Sequence, residues 1–223
     1  MTLIEQLKRL GREEIRNGAR LSLDNAKAFL GEGLVFESRP KPPRYCRANS
    51  SYQLCLEETG KAALLLQYHE EKAHGLETDF EQLSKAFSNH QKKTVQALEI
   101  LRLLFERRAS GDSAYREHVE VLKRLIIDAP AYSRRRESGL YVSIENGRFI
   151  GPDNLISKED AAHTQLLAHN TFSFVEQWWC AVSEVGYKWG SKGFAALGGK
   201  HDPKVNGALP TTYLPMLRTH IPQ

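Results

Sequence analysis

Along most of the chain, apolar positions recur at steps of three and four residues, the period of a helix with one buried face. The first such stretch runs from Thr2 to about Leu30, with Ile15, Ala19, Leu23, Ala26 and Leu30 on one stripe. Gly11 and Gly18 interrupt it and mark places for a kink. RPKPPR, from Arg39 to Arg44, then breaks that helix and opens the next, because proline fits a helix start. A second helix is predicted from about Arg44 to His69. Its seam is Tyr45, Ala48, Tyr52, Cys55, Thr59, Ala62 and Leu66, stepping 3-4-3-4-3-4. A third, from about Asp79 to Arg107, carries Phe80, Leu83, Phe87, His90, Thr94, Ala97, Leu101 and Leu104. His74-Gly75 supplies a stop between them, so the two form an antiparallel helical pair.

A fourth helix is expected from Ser113 to Ile127, ending at Asp128-Ala129-Pro130. From Leu140 to Pro152 the pattern becomes strand-like, and Asn146-Gly147 between the two runs predicts a tight β-hairpin packed on the helices. Ser157 and Asp160 resemble a capping box that opens a long helix to about Tyr187. Its expected buried stripe is Leu167, Phe174, Trp178, Val182, Val185 and Trp189. The fold class is therefore mainly α, a bundle of about five helices with one small β-hairpin. It forms one domain over 1–189, followed by an irregular Gly- and Pro-rich tail over 190–223.

Composition narrows the function only slightly. A chain of 223 residues, 41% hydrophobic and 26% charged, can bury a full core unaided. A net charge of +4 permits nucleic-acid contact without requiring it. Cys46, Cys55 and Cys180 form no C-x-x-C pair, which points away from zinc knuckles and disulfide frameworks. Glu71-x-x-His74 and Asp160-x-x-His163 have ligand spacing, but a di-iron bundle needs further carboxylates at matching depth, so no metal and no cofactor are expected. There is no phosphate-binding G-x-x-x-x-G-K, no dinucleotide G-x-G-x-x-G and no G-x-S-x-G elbow. The charged N-terminus and the lack of an apolar run of about 18 residues indicate a cytoplasmic protein without membrane contact.

The chemistry-bearing residues stand out as polar intruders in apolar seams. In Cys55–Leu66, CLEETGKAALLL, Glu58 falls between Leu54 and Ala62, with Lys61 one turn on. Glu57 is placed further toward solvent. Gly60 lacks a side chain where another backbone or a ligand comes close. His90 takes a seam position where leucine is expected, with Lys93 three residues later. In an antiparallel pair Glu58 and His90 could meet. Such a network either fixes helix register or does chemistry, and both readings stay open. Arg134, Arg135 and Arg136 form either a phosphate-gripping cluster or a solvated basic turn.

The order of these parts resembles a known family. Asp24-Asn25-Ala26-Lys27 is followed by LEETGKAALL, then NHQKK from Asn89 to Lys93, then SGLYVSIENGRFIGPD from Ser138 to Asp153. Together they are similar to the AbiV family of bacterial abortive-infection proteins, over roughly Leu21 to Ala168. The resemblance implies an HEPN-like helical bundle and phage defence, in which an infected cell halts its own growth, at translation, through RNA cleavage or RNA binding. It also implies a homodimer, an RNA or ribosomal target and a phage-encoded activator. Many HEPN-like proteins are metal-independent ribonucleases with an Arg-x4–6-His motif. None of the eight histidines here has arginine at that spacing, and Lys85-x4-His90 only approximates it. The expected centre is therefore His90, Glu58, Lys61 and Lys93, with Arg134, Arg135 and Arg136 on RNA. It serves either a metal-independent endoribonuclease or a non-catalytic effector or sensor that binds a phage protein or ribosomal component.

Overall fold

α3, Tyr45–Ala73, is the axis of the bundle: twenty of its 29 residues are buried, so it has no solvent face along most of its length. Leu56 and Leu66 are fully buried, and each such side chain contributes about 1.5–3 kcal/mol. The expected seam residues from Ala48 to Leu66 are all buried, with Tyr45 half-buried. The computed structural model describes residues 1–39, 44–73, 75–109, 114–138, 140–141, 143–145, 148–152 and 155–184. Around α3 lie α1 (Leu3–Arg9), α2 (Arg12–Glu37), α4 (Phe80–Ser88), α5 (His90–Ala109), α6 (Ala114–Ile127), α7 (Ala129–Ser138) and α8 (Lys158–Glu184). α2, α5, α7 and α8 pack on α3, α6 packs on α5, and α1 meets α4. The described residues thus form a mainly α fold of eight helices rather than about five. None of the eight is long and apolar enough to cross a membrane.

The extra helices have local causes. The N-terminal stretch divides at Leu10-Gly11, where both residues are extended and the Gly11 N–H donates to the Glu14 carboxylate. The predicted third helix divides at Asn89, whose backbone is extended (φ −104°, ψ 119°). Its side chain accepts the Lys92 N–H at 3.1 Å and so starts α5 afresh, while Ser88 bonds back to Ser84. α7 is a helix where the sequence suggested a turn; Pro130 lies in its first turn, where its missing N–H costs nothing. α8 buries Leu167, Ala168, Thr171, Phe172 and Val175, while Phe174 and Trp178 are only half-buried, so the stripe is rotated from the one expected. Val185, Trp189 and the 190–223 tail lie outside the described residues, as do 40–43 of the Pro-rich break and His74.

Two short strands, β1 (Ser143–Glu145) and β2 (Arg148–Ile150), pair antiparallel with Ile144 opposite Phe149. Asn146 and Gly147 between them lie outside the described residues. α3 ends as expected at Gly75, which adopts φ +65°, with the Leu76 N–H returning to the Glu71 carbonyl. Cross-links then tie the other helices to the axis. Tyr52, fully buried, donates its hydroxyl to Glu37 at 2.7 Å. Thr164 of α8 donates to buried Asn49 at 2.7 Å, and Tyr68 donates to the Leu7 carbonyl of α1. Burial pushes the Cys55 thiol up to about 12.

The tightest packing joins α3 to α5. A Cβ built on Gly60 would lie 1.9 Å from the Lys93 carbonyl oxygen and 2.7 Å from its carbon. Glycine at 60 is therefore the condition for the α3–α5 approach, the backbone contact that the sequence suggested. Gly60→Ala should cost about 1–3 kcal/mol or more, as overpacking against rigid backbone does. Gly31→Ala, in open space on α2, should instead gain about 0.5–1 kcal/mol from helix propensity. Urea denaturation of the two variants checks the pair.

Candidate functional site

Neighbouring residues on a helix point about 100° apart, so Glu57 and Glu58 serve different faces of α3. The sequence favoured Glu58 as the partner of His90, and the structure reverses this. Glu57 is the interior carboxylate, its side chain 4% exposed. Its Oε2 lies 2.5 Å from His90 Nδ1, and its Oε1 accepts Arg136 Nη1 at 2.7 Å. The reason is α7. That helix covers the face of α3 that the sequence assigned to solvent, with the Arg136 carbonyl 3.0 Å from the Ser50 hydroxyl.

Glu58 and Lys61 form their own pair. Lys61 Nζ donates to both Glu58 oxygens at 2.8 Å. They line a groove of about 550 Å³ with Leu21, Ser22, Asp24, Asn25 and Ala28 of α2. Lys61 also sits over the Phe87 ring at 5.7 Å. This pair faces α2 and α4, away from the Glu57 contacts.

His90 is not a mid-helix seam residue. It is the first residue of α5, and its ring is 54% exposed. With a carboxylate against Nδ1, that nitrogen is assigned the proton, which leaves Nε2 as the basic nitrogen. Arg136 Nη1 stands 3.2 Å from Nδ1 and donates one of its two N–H groups to Glu57 Oε1. Carboxylate, imidazole and guanidinium thus share one node, drawn from three elements. The arrangement can hold an imidazole in one tautomer and take up a proton at Nε2.

Lys93 lies on the same face of α5 as His90 and is only 7% exposed. Burial pushes its ammonium below the ordinary lysine value. Glu57 opposes the shift, Lys61 adds to it, Glu58 opposes it and Arg136 adds to it. Of the residues singled out from the sequence, the structure gathers His90, Lys93 and Arg136 around Glu57. It sets Glu58 and Lys61 on the neighbouring face. Arg134 and Arg135 fall on α7, and their side chains lie outside what is described.

The family model HEPN_AbiV, described as AbiV, matches residues 14–172. The chain belongs to the AbiV family. The matched span runs from α2 into α8 and includes Glu57, Glu58, His90, Lys93 and Arg136. Membership in the AbiV HEPN family implies abortive-infection phage defence. No curated protein and no solved structure matches the chain. The matched span therefore contains both carboxylates, the interior one and the groove one.

Two outcomes test this geometry. Glu57→Gln should cost about 1–3 kcal/mol, since it leaves Arg136 facing a neutral partner. Glu58→Gln should cost at most about 1 kcal/mol, as a partly exposed pair does. Denaturant melts compare them, and equal costs would place the network elsewhere. Lys93→Met should raise the melting temperature at neutral pH. Below the lowered folded value, both states hold the proton and the burial cost is present in full. As pH rises through that value the folded protein sheds the proton first, and the cost fades until it is gone above 10.5, the unfolded value. The advantage of Lys93→Met should therefore shrink as pH rises toward 10.5 in paired melts.

Proposed function

We propose that this AbiV protein arrests the infected cell by acting on RNA in the host translation machinery, as a metal-independent endoribonuclease of the cytoplasm. The observation that carries the reading is the half-exposed His90 ring held at Nδ1 by Glu57. HEPN-like ribonucleases place Arg and His on one helix. Here the arginine beside the histidine comes from α7, 46 residues on, so the pair is present in space though absent as a motif. In the reaction, Nε2 takes the ribose 2′-OH proton and the 2′-oxygen attacks the adjacent phosphorus. The bond from phosphorus to the 5′-oxygen breaks, and that oxygen receives a proton from the imidazolium. The products are a 2′,3′-cyclic phosphate and a 5′-hydroxyl. Arg136 and Lys93 offset the charge developing on phosphorus oxygens. The reading keeps Arg134 and Arg135 as RNA contacts. A homodimer and a phage-encoded activator complete the reading.

A second reading rests on the same ion pair. Both Glu57 oxygens are engaged, one by Arg136, so the cluster also serves as a staple that holds α7 on α3. In that reading the protein is a non-catalytic effector that binds a phage protein or a ribosomal component.

The two separate in one assay: purified protein with tRNA and total RNA in EDTA, with and without phage lysate. His90→Ala should lower cleavage about 10²–10⁴-fold, the usual range for a general base. His90→Ala also removes the partner of the buried Glu57 Oε2, so its melting temperature should fall by the equivalent of about 1–3 kcal/mol, and cleavage is compared at a temperature where the variant stays folded. Cleaved ends should carry the cyclic phosphate. No cleavage by wild type in any arm would overturn the ribonuclease reading in favour of the effector.

A further inference from the structure

α5 begins against the ordinary electrostatics of a helix. The N-terminal end of a helix carries partial positive charge and favours acidic side chains. The first turn of α5 has no acid and reads His90-Gln91-Lys92-Lys93. Its backbone donors divide in two. The Lys92 N–H goes to Asn89 Oδ1 and the Lys93 N–H to the Asn89 carbonyl, each at 3.1 Å. Those of His90 and Gln91 have no acceptor within the helix, and both residues are exposed.

Lys93 gives the second, independent observation. Its side chain is more than nine-tenths buried, and among the described residues it makes no hydrogen bond or ion pair. The carboxylates it senses are already engaged. Glu57 holds His90 and Arg136 through separate oxygens, and Glu58 holds Lys61 through both. A lysine whose stem is buried beside a cationic helix end, with Glu57 and Glu58 both taken by other cations or the His90 ring, leaves its ammonium without an ion-pair partner among the described residues.

We propose that the N-terminal turn of α5 is a phosphate seat, in which the His90 and Gln91 N–H groups and the Lys93 ammonium hold one phosphate group. Free N–H groups at a helix end with a lysine beside them match phosphate oxygens. Lys92 and Arg136 stand at the rim and raise the local positive potential. The seat borders the His90 ring, so a phosphodiester held there presents its ribose to Nε2. The proposal rests on the RNA reading for the source of the phosphate, not for the existence of the seat.

The test uses the full chain, isotope-labelled, titrated with inorganic phosphate against chloride at constant ionic strength. The His90 and Gln91 amide resonances should shift saturably with phosphate and not with chloride. Lys93→Met should weaken that binding about tenfold, the loss of one charge-assisted hydrogen bond. His90→Ala, which keeps its backbone N–H, should weaken it less. The wild-type shifts locate the anion by themselves, so the result does not depend on a variant's folding. Absence of saturable shifts at these two amides, or unchanged affinity in folded Lys93→Met, overturns the seat. A 2′-O-methyl RNA oligonucleotide that cannot be cleaved then identifies the source. Competition with phosphate assigns the seat to the RNA backbone. Saturable phosphate binding without competition keeps the seat, assigns it to a free phosphate species, and removes support from the RNA reading.

Discussion

A carboxylate with almost no water around it stays charged only where other groups replace that water. Glu57 is such a group, and its two oxygens dictate what must surround them. One requires the start of α5, which brings His90; the other requires α7, which brings Arg136. Three residues on, Gly60 sets how closely α5 can approach, because only a hydrogen fits against the Lys93 carbonyl. A single turn of α3 therefore fixes the position of two other elements. The polar segment inside an apolar helix is the joint on which the bundle closes.

Much of the fold was legible because the long helices follow the simplest rule. The α3 seam from Ala48 to Leu66 is buried as its spacing predicts, and Gly75 ends the helix in the left-handed region. The division at Asn89 was written locally, in Ser88-Asn89, two residues whose side chains compete with helical hydrogen bonds. It was obscured because the apolar stepping continues across it from Phe87 to Thr94. α7 was not readable from periodicity. SRRRES has no apolar face, and Pro130 signals either a helix start or a stop.

The site was legible by exception rather than by motif. His90 and Lys93 stood out as residues where apolar ones were expected, and both belong to the cluster. Glu57 was passed over because a single seam was taken to imply a solvent face on the far side, and α3 has none there. Choosing between Glu57 and Glu58 required knowing where α7 lies, and choosing Arg136 among three adjacent arginines required its helical phase. Neither is encoded within a short window. The family match spans both carboxylates and carries no assignment between them.

Arg136 lies 79 residues beyond Glu57 in the chain. A ribosome adding about 5–20 residues per second makes the carboxylate roughly 4–16 s before the guanidinium that partners it. Over the first 33 residues of that interval neither partner of Glu57 has been made, and over the rest only His90 has. The cluster is therefore complete only once Arg136 is made, when 136 of the 223 residues exist. If its chemistry harms translation, the ribosome that builds it has moved well past the sequence of α3 before the centre can form.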